Sequence, residues 1–106
     1  MDYKEKDELL LTQLILMFQT AALQQMGKLK NPTTDKIDVD LPQAQISIDL
    51  LEMLHKKMKG NLTGDEERIF STVLQELKLN YVDEVSKHQN DRKEQPSGSS
   101  TIPSTP

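Results

Sequence analysis

Polar and apolar positions along this chain fall into three periodic segments joined by two turn-rich connections. The first segment, residues 9–26 (LLLTQLILMFQTAALQQM), contains no charged residue. Placed on a helix at about 100° per residue, its apolar side chains do not form one stripe. Leu9, Leu16 and Leu23 fall on one line, and Leu10, Leu14, Met17 and Ala21 on a second. Leu11, Phe18 and Ala22 fall on a third, with Ile15 and Met26 beyond. A helix that is apolar nearly all round must be covered nearly all round, and the rest of the chain has to supply that cover.

Asp7 and Glu8 precede the apolar run, where negative charge suits the positive end of a helix dipole and Asp7 can cap it. Gly27 follows the run, the favoured residue just past a helix C-terminus. The first helix is therefore predicted over 7–26, preceded by a flexible N-terminus over 1–6. Residues 28–40 (KLKNPTTDKIDVD) form the first connection, with a turn opening at Asn31-Pro32 and continuing through Thr33, Thr34 and Asp35. Ile37 and Val39 alternate with Asp38 and Asp40, which predicts an extended piece with two side chains packed inward. At about 13 residues the connection is long for a helix hairpin and can cross the end of a bundle. Asp35, Asp38 and Asp40 lack the spacing, glycine and final glutamate of an EF-hand loop, so they read as turn and cap residues.

Three signals start the second helix at one place. Asp40 and Gln43 have capping-box spacing, Pro42 sits in the first turn where its missing N–H costs nothing, and Val39 and Ala44 have the spacing of a hydrophobic staple. The helix is predicted over 41–59 and ends at Gly60, with His55, Lys56, Lys57 and Lys59 complementing the negative end of its dipole. It carries two apolar faces. Ala44, Ile48, Leu51, Leu54 and Met58 make the main one; Ile46, Leu50 and Met53 make a second, nearly opposite. The outer helix of a monomeric bundle needs only the first. After a short turn, Thr63 and Glu66 form a second capping box, with Asp65, Glu66 and Glu67 in the first turn of a helix predicted over 64–87. This third helix has one clean stripe of Phe70, Val73, Leu74, Leu77, Tyr81 and Val85. Residues 88–106, rich in Ser, Thr, Pro and Gly with Ile102 as their one aliphatic side chain, read as a disordered tail.

The fold class is thus all-α, a small three-helix antiparallel bundle. A chain of 106 residues holds one such domain over 7–87. Composition narrows its activities. Aromatics are limited to Tyr3, Phe18, Phe70 and Tyr81, so the core is built from Leu, Ile and Met. The formal charge of −4 argues against a nucleic-acid surface, which needs a basic face. The absence of cysteine excludes disulfides, thiol nucleophiles and cysteine metal sites, and fits a reducing compartment. Thr12, Gln13, Gln19, Thr20, Gln24 and Gln25 interrupt the apolar run, which also lacks the basic start of a secretory signal and the basic face of a membrane-surface helix. A cytoplasmic protein without a membrane partner is expected.

The second helix, its turn and the third helix carry a resemblance. Ile48-Asp49-Leu50-Leu51, then Lys59-Gly60-Asn61-Leu62-Thr63, then Glu66 or Glu67, then Leu74-x-x-Leu77-x-x-x-Tyr81-Val82 is similar to the bacterial domain of unknown function 1844 family. The charge-free opening helix and the Pro-containing connection before Val39-Asp40-Leu41 match that family's layout. The resemblance spans roughly residues 7–85 and implies a small, all-helical, bacterial cytoplasmic protein, with no activity to carry over. The turn motif also has a local structural reading. Gly60 ends one helix, Asn61 tolerates unusual backbone angles, Leu62 plugs the core, Thr63 caps the next helix and Glu66 closes the box.

Few constellations suggest chemistry. Glu52 and His55 form a Glu-x-x-His, the spacing by which di-iron bundles place two ligands on one helix face, and Glu76 could add a carboxylate. Glu52 falls at the edge of the apolar face, however, His55 neighbours three lysines, and the first helix offers no carboxylate between Glu8 and Gly27. No nucleophile–base pair accompanies Ser47, Ser71 or Ser86, and there is no phosphate-binding glycine loop. Lys56, Lys57, Lys59 and Arg68 lie beside Asp65, Glu66 and Glu67 and read as a solvated, charge-paired surface. No catalytic residue, metal or cofactor is expected. The excess of apolar surface instead predicts a homodimer, with a seam of Leu10, Leu14, Met17, Ile46, Leu50 and Met53. The function expected is a non-enzymatic interaction protein that docks another, unidentified protein, with a metal- or small-ligand site at Glu52 and His55 as the alternative.

Overall fold

The computed structural model of the chain describes residues 2–94, with side chains to 89. Three helices follow one another: α1 (Tyr3–Gln25), α2 (Leu41–Lys57) and α3 (Gly64–Glu94). Each packs on the other two, and among the described residues the only β pairing is an isolated bridge between Asn31 and Lys36 within the first connection.

Of the apolar lines on α1, the third turns inward. Ile15, Ala22 and Met26 are fully buried, with Leu11 and Phe18 packed against them. They meet Ala44, Ile48 and Leu51 of α2 and Phe70, Val73, Leu74 and Leu77 of α3, the main faces expected of those helices. Leu54, Met58, Leu62 and Tyr81 close the periphery of this core.

The helix bounds differ from expectation at the polar ends. α1 begins at Tyr3, and its cap is Asp2, whose side chain accepts the N–H of Glu5 at 2.8 Å. Asp7 is inside the helix, because its neighbours Lys4, Glu5, Lys6 and Glu8 are good helix formers that continue it without any tertiary cover. The expected flexible segment over 1–6 is therefore helical from residue 3. α3 likewise continues past Lys87 to Glu94, so residues 88–94 of the expected disordered tail are helical. The rest of that tail lies outside the described residues. α2 stops at Lys57, with Met58 as its cap.

Two contacts set the relative levels of the helices. The N–H of Asp40 donates to the Gln25 carbonyl at 2.7 Å, and Ser47 Oγ donates to Gln25 Oε1 at 2.6 Å. Asp40 also caps α2, accepting the N–H of Gln43 at 3.1 Å. Matching residue for residue along the antiparallel pair from the Gln25–Ser47 contact brings Lys57 level with Ile15. The early turns of α1 therefore project beyond the end of α2, and every side chain from Asp2 to Leu10 is exposed.

In the first connection, Ile37 and Val39 are exposed rather than packed inward. The piece lies over the end of α1, where a Val39 methyl closes on Gly27, and its other side faces solvent.

Candidate interaction surface

The six predicted seam residues are all exposed. On α1, Leu10 is 52 %, Leu14 38 % and Met17 67 % accessible. On α2, Ile46, Leu50 and Met53 retain 49 %, 41 % and 42 % of their surface. Leu9 and Leu16 of α1 are exposed as well, which the separation of the run into lines does not assign to the seam. Leu79 and Val82 form a separate exposed pair on α3 that the third helix's clean stripe gives no reason to expect.

Helix geometry determines which of these residues share a surface. Ser47 faces α1, and Leu50 and Leu54 follow it along the same flank of α2 at three and seven residues. On α1, Gln25 faces α2, and Ala21 and Leu14 precede it by four and eleven residues on the same flank. Leu14 and Ala21 therefore border α2 on the side where Leu50 and Leu54 border α1. Leu10 and Met17 lie one step further round α1. The outermost strip of α1 contains a shallow groove lined by Gln13, Leu16, Met17, Thr20, Ala21 and Gln24. Met53, by contrast, sits in a depression with Asp49, Glu52, Lys56 and Lys57, so the α2 end of the surface is rimmed by charge.

Charge is distributed on the other side of the molecule. Every ion pair between elements among the described residues involves α3. Lys28 Nζ lies 2.8 Å from Asp83 and 2.7 Å from Glu84, and Lys87 reaches the same two carboxylates. The Lys28 ammonium holds both carboxyls below their ordinary range, and they in turn raise the lysine. Glu84 is buried, and the sequence reading passes over it. Its position, three residues after Tyr81 and seven after Leu77, places it on the core stripe and is the available signal.

Glu52 and His55 are both taken up by α3. Glu52 accepts from Lys78 Nζ at 2.5 Å, which lowers its pKa. His55 Nε2 lies 2.6 Å from Glu67 Oε2, which lowers the glutamate, and its ring stacks on Phe70 at 5.1 Å. Glu76 is exposed, and its backbone carbonyl accepts from the Asn80 side chain. Among the described residues, no group of three or more His, Asp or Glu is placed to hold a metal ion. In the basic cluster near the α2–α3 corner, Arg68 pairs with Asp65 at 2.9 Å.

The turn motif is built for structure. Gly60 adopts φ +91°, and the N–H of Asn61 donates to the Met58 carbonyl at 2.9 Å. Asn61 itself keeps a negative φ, so the backbone freedom expected of it is not used; Asp35, in the first connection, is the non-glycine residue with positive φ among those described. Leu62 is half-buried against the core. Thr63 Oγ1 accepts the N–H of Glu66 at 3.1 Å, and Glu66 Oε1 accepts the N–H of Thr63 at 2.8 Å, a complete capping box.

Fold and surface together define a small three-helix domain whose candidate site is a charge-free helix face rather than a cleft. Among the described residues, no helix is long and apolar enough to cross a membrane. Residues 8–83 match the family model described as Domain of unknown function (DUF1844), and the chain belongs to that family. No match is found among curated proteins or among solved structures.

Proposed function

We propose that this protein is a non-enzymatic interaction and oligomerisation module: it forms a homodimer through the outer faces of α1 and α2, and the assembled helices dock another protein. The observation that carries this reading is the outer face of α1, where Leu9, Leu10, Leu14, Leu16 and Met17 are exposed on a stretch without a single charge. Contiguous exposed apolar surface of this kind marks interaction sites in soluble proteins. The acidic net charge disfavours nucleic acid as the partner, and the cysteine-free composition fits work in the reducing cytoplasm.

Magnitudes decide which helix must contribute most. Fully burying an aliphatic side chain is worth about 1.5–3 kcal/mol. Ile46, Leu50 and Met53 are already about half covered in one chain, so the remainder across two copies is about 4–9 kcal/mol. Association costs about 4–15 kcal/mol. The gain from the α2 residues falls within the range of the cost rather than above it, so the exposed α1 residues are what give the seam a margin.

Solution mass measurements test the reading. The unaltered chain is expected at twice its chain mass, and Met17→Glu and Leu50→Glu at the single-chain mass with helix content retained. A single-chain mass for the unaltered protein, or a dimer in both variants, would overturn it.

A further inference from the structure

We infer that two copies of this chain pair through antiparallel α1 helices, with a two-fold axis passing beside Met17. This rests on the interaction reading above and deepens it by naming the occupant of the α1 face and its orientation.

Leu10, Gln13, Met17, Thr20 and Gln24 lie along the middle of the outer face of α1 at alternating spacings of three and four, the rhythm of a coiled-coil seam. The strip is centred on Met17, the most exposed of its apolar residues. Its two halves differ in size. Leu9, Leu10, Leu14 and Leu16 crowd the N-terminal half; the groove runs from Gln13 to Gln24, and its C-terminal half is lined by the smaller Thr20 and Ala21. An antiparallel pair lays the bulky half of each copy on the grooved half of the other, so that Leu10 meets the partner's strip near Thr20 and Gln24. A parallel pair would set bulk against bulk at one end and leave a gap at the other.

The polar residues of the strip favour a second copy over an unlike partner. About an axis beside Met17, Gln13 of each copy falls within about one residue of the partner's Thr20, and since both side chains carry a donor and an acceptor the two can bond to each other, once on each side of the axis. No charge on the strip asks for a counter-charge elsewhere. The flanking charges favour the antiparallel direction. Asp2, Glu5, Asp7 and Glu8 outnumber Lys4 and Lys6 on the projecting turns, and a parallel pair would bring two such acidic segments together. Antiparallel pairing carries each past the partner's Gly27 toward Lys28 and Lys30. Lys28 is engaged by Asp83 and Glu84, whereas Lys30 makes no ion pair among the described residues. Of the acids further along that connection, Asp40 caps α2, Asp38 accepts from Thr34 and Asp35 lies in the turn.

The chain has no cysteine, so single cysteines report the geometry directly. Met17→Cys is expected to cross-link with itself under mild copper-catalysed oxidation. Leu10→Cys should not, but should link to Gln24→Cys when the two variants are mixed, each checked for retained helix content. Self-linking of Leu10→Cys without the mixed link would establish the parallel direction and overturn this arrangement while leaving the dimer intact. A dimer mass with none of these links would place the seam elsewhere and also overturn it. A single-chain mass for the unaltered protein would remove the interaction reading along with it.

Discussion

Lys28 Nζ and Glu84 Oε2 lie 2.7 Å apart, joining the residue just past the end of α1 to a buried position on α3. Replacing Lys28 with Met leaves Glu84 with Lys87 alone and is expected to cost about 1–2 kcal/mol of stability, read by urea unfolding. The pH dependence has a defined sign. Asp83 and Glu84 are lowered in the folded chain, so their contribution is present above the ordinary carboxylate range and is lost as pH falls through it. Lys28 is raised, so its contribution is present below the ordinary lysine range and is lost at still higher pH. Lys28→Met should therefore show a shallower loss of stability between about pH 5 and 3 than the unaltered chain. The lowered Glu52 and Glu67 keep part of the slope in the variant, so an unchanged acid limb would deny Lys28 its role.

Gly27 and Gly60 have nearly the same backbone conformation, at φ +88° and +91°, but different surroundings. A Cβ at Gly27 would lie 2.8 Å from Val39 Cγ2, whereas one at Gly60 would meet nothing within 4 Å. Gly60→Ala is expected to cost about 1–2 kcal/mol for the left-handed backbone alone. Gly27→Ala carries that cost plus displacement of the Val39 segment, and its urea midpoint should fall further. Equal midpoints would mean that the segment yields freely.

Ile15 and Leu16 are neighbours on α1 with opposite fates. Ile15 is buried between α2 and α3, and Leu16 is exposed. In a Met17→Glu background, which removes the proposed self-association, Ile15→Ala should cost about 2–5 kcal/mol. In the same background Leu16→Ala should stay within about 0.5 kcal/mol. A comparable loss for both would put a different face of α1 in the core.

Features with a local cause are legible in the sequence. Thr63 and Glu66 satisfy one another over three residues, Asp40 accepts the Gln43 N–H across the same spacing while its own N–H goes to Gln25, and Gly27 and Gly60 stop their helices by backbone conformation alone. The stripes of α2 and α3 are readable because polar residues mark their outer sides. On α1 no charged stripe exists, and Gln13, Thr20 and Gln24 mark the outer side only faintly because Thr12, Gln19 and Gln25 lie elsewhere round the helix; the burial of Ile15, Ala22 and Met26 depends on the neighbouring helices. The start of α1 at Tyr3 escapes notice because an uncovered helical turn has no apolar period to betray it. Glu84 escapes notice because its burial depends on Lys28, which lies outside α3. For the seam, the surplus of apolar residues is plain in the sequence, and their exposure places them on the outside of a single chain; which copy or partner covers them is a property of the assembly.

The opening turns of α1 stand clear of α2, with every side chain from Asp2 to Leu10 in contact with solvent. A helical segment this short has marginal stability in isolation. Its backbone amides should therefore open and exchange with solvent hydrogen long before those around Ala22, on which both neighbouring helices close. Dilution should accelerate that exchange if a second chain shelters the segment, and should leave it unaltered if the segment stands alone. The least supported part of the molecule is thus also its most direct gauge of company.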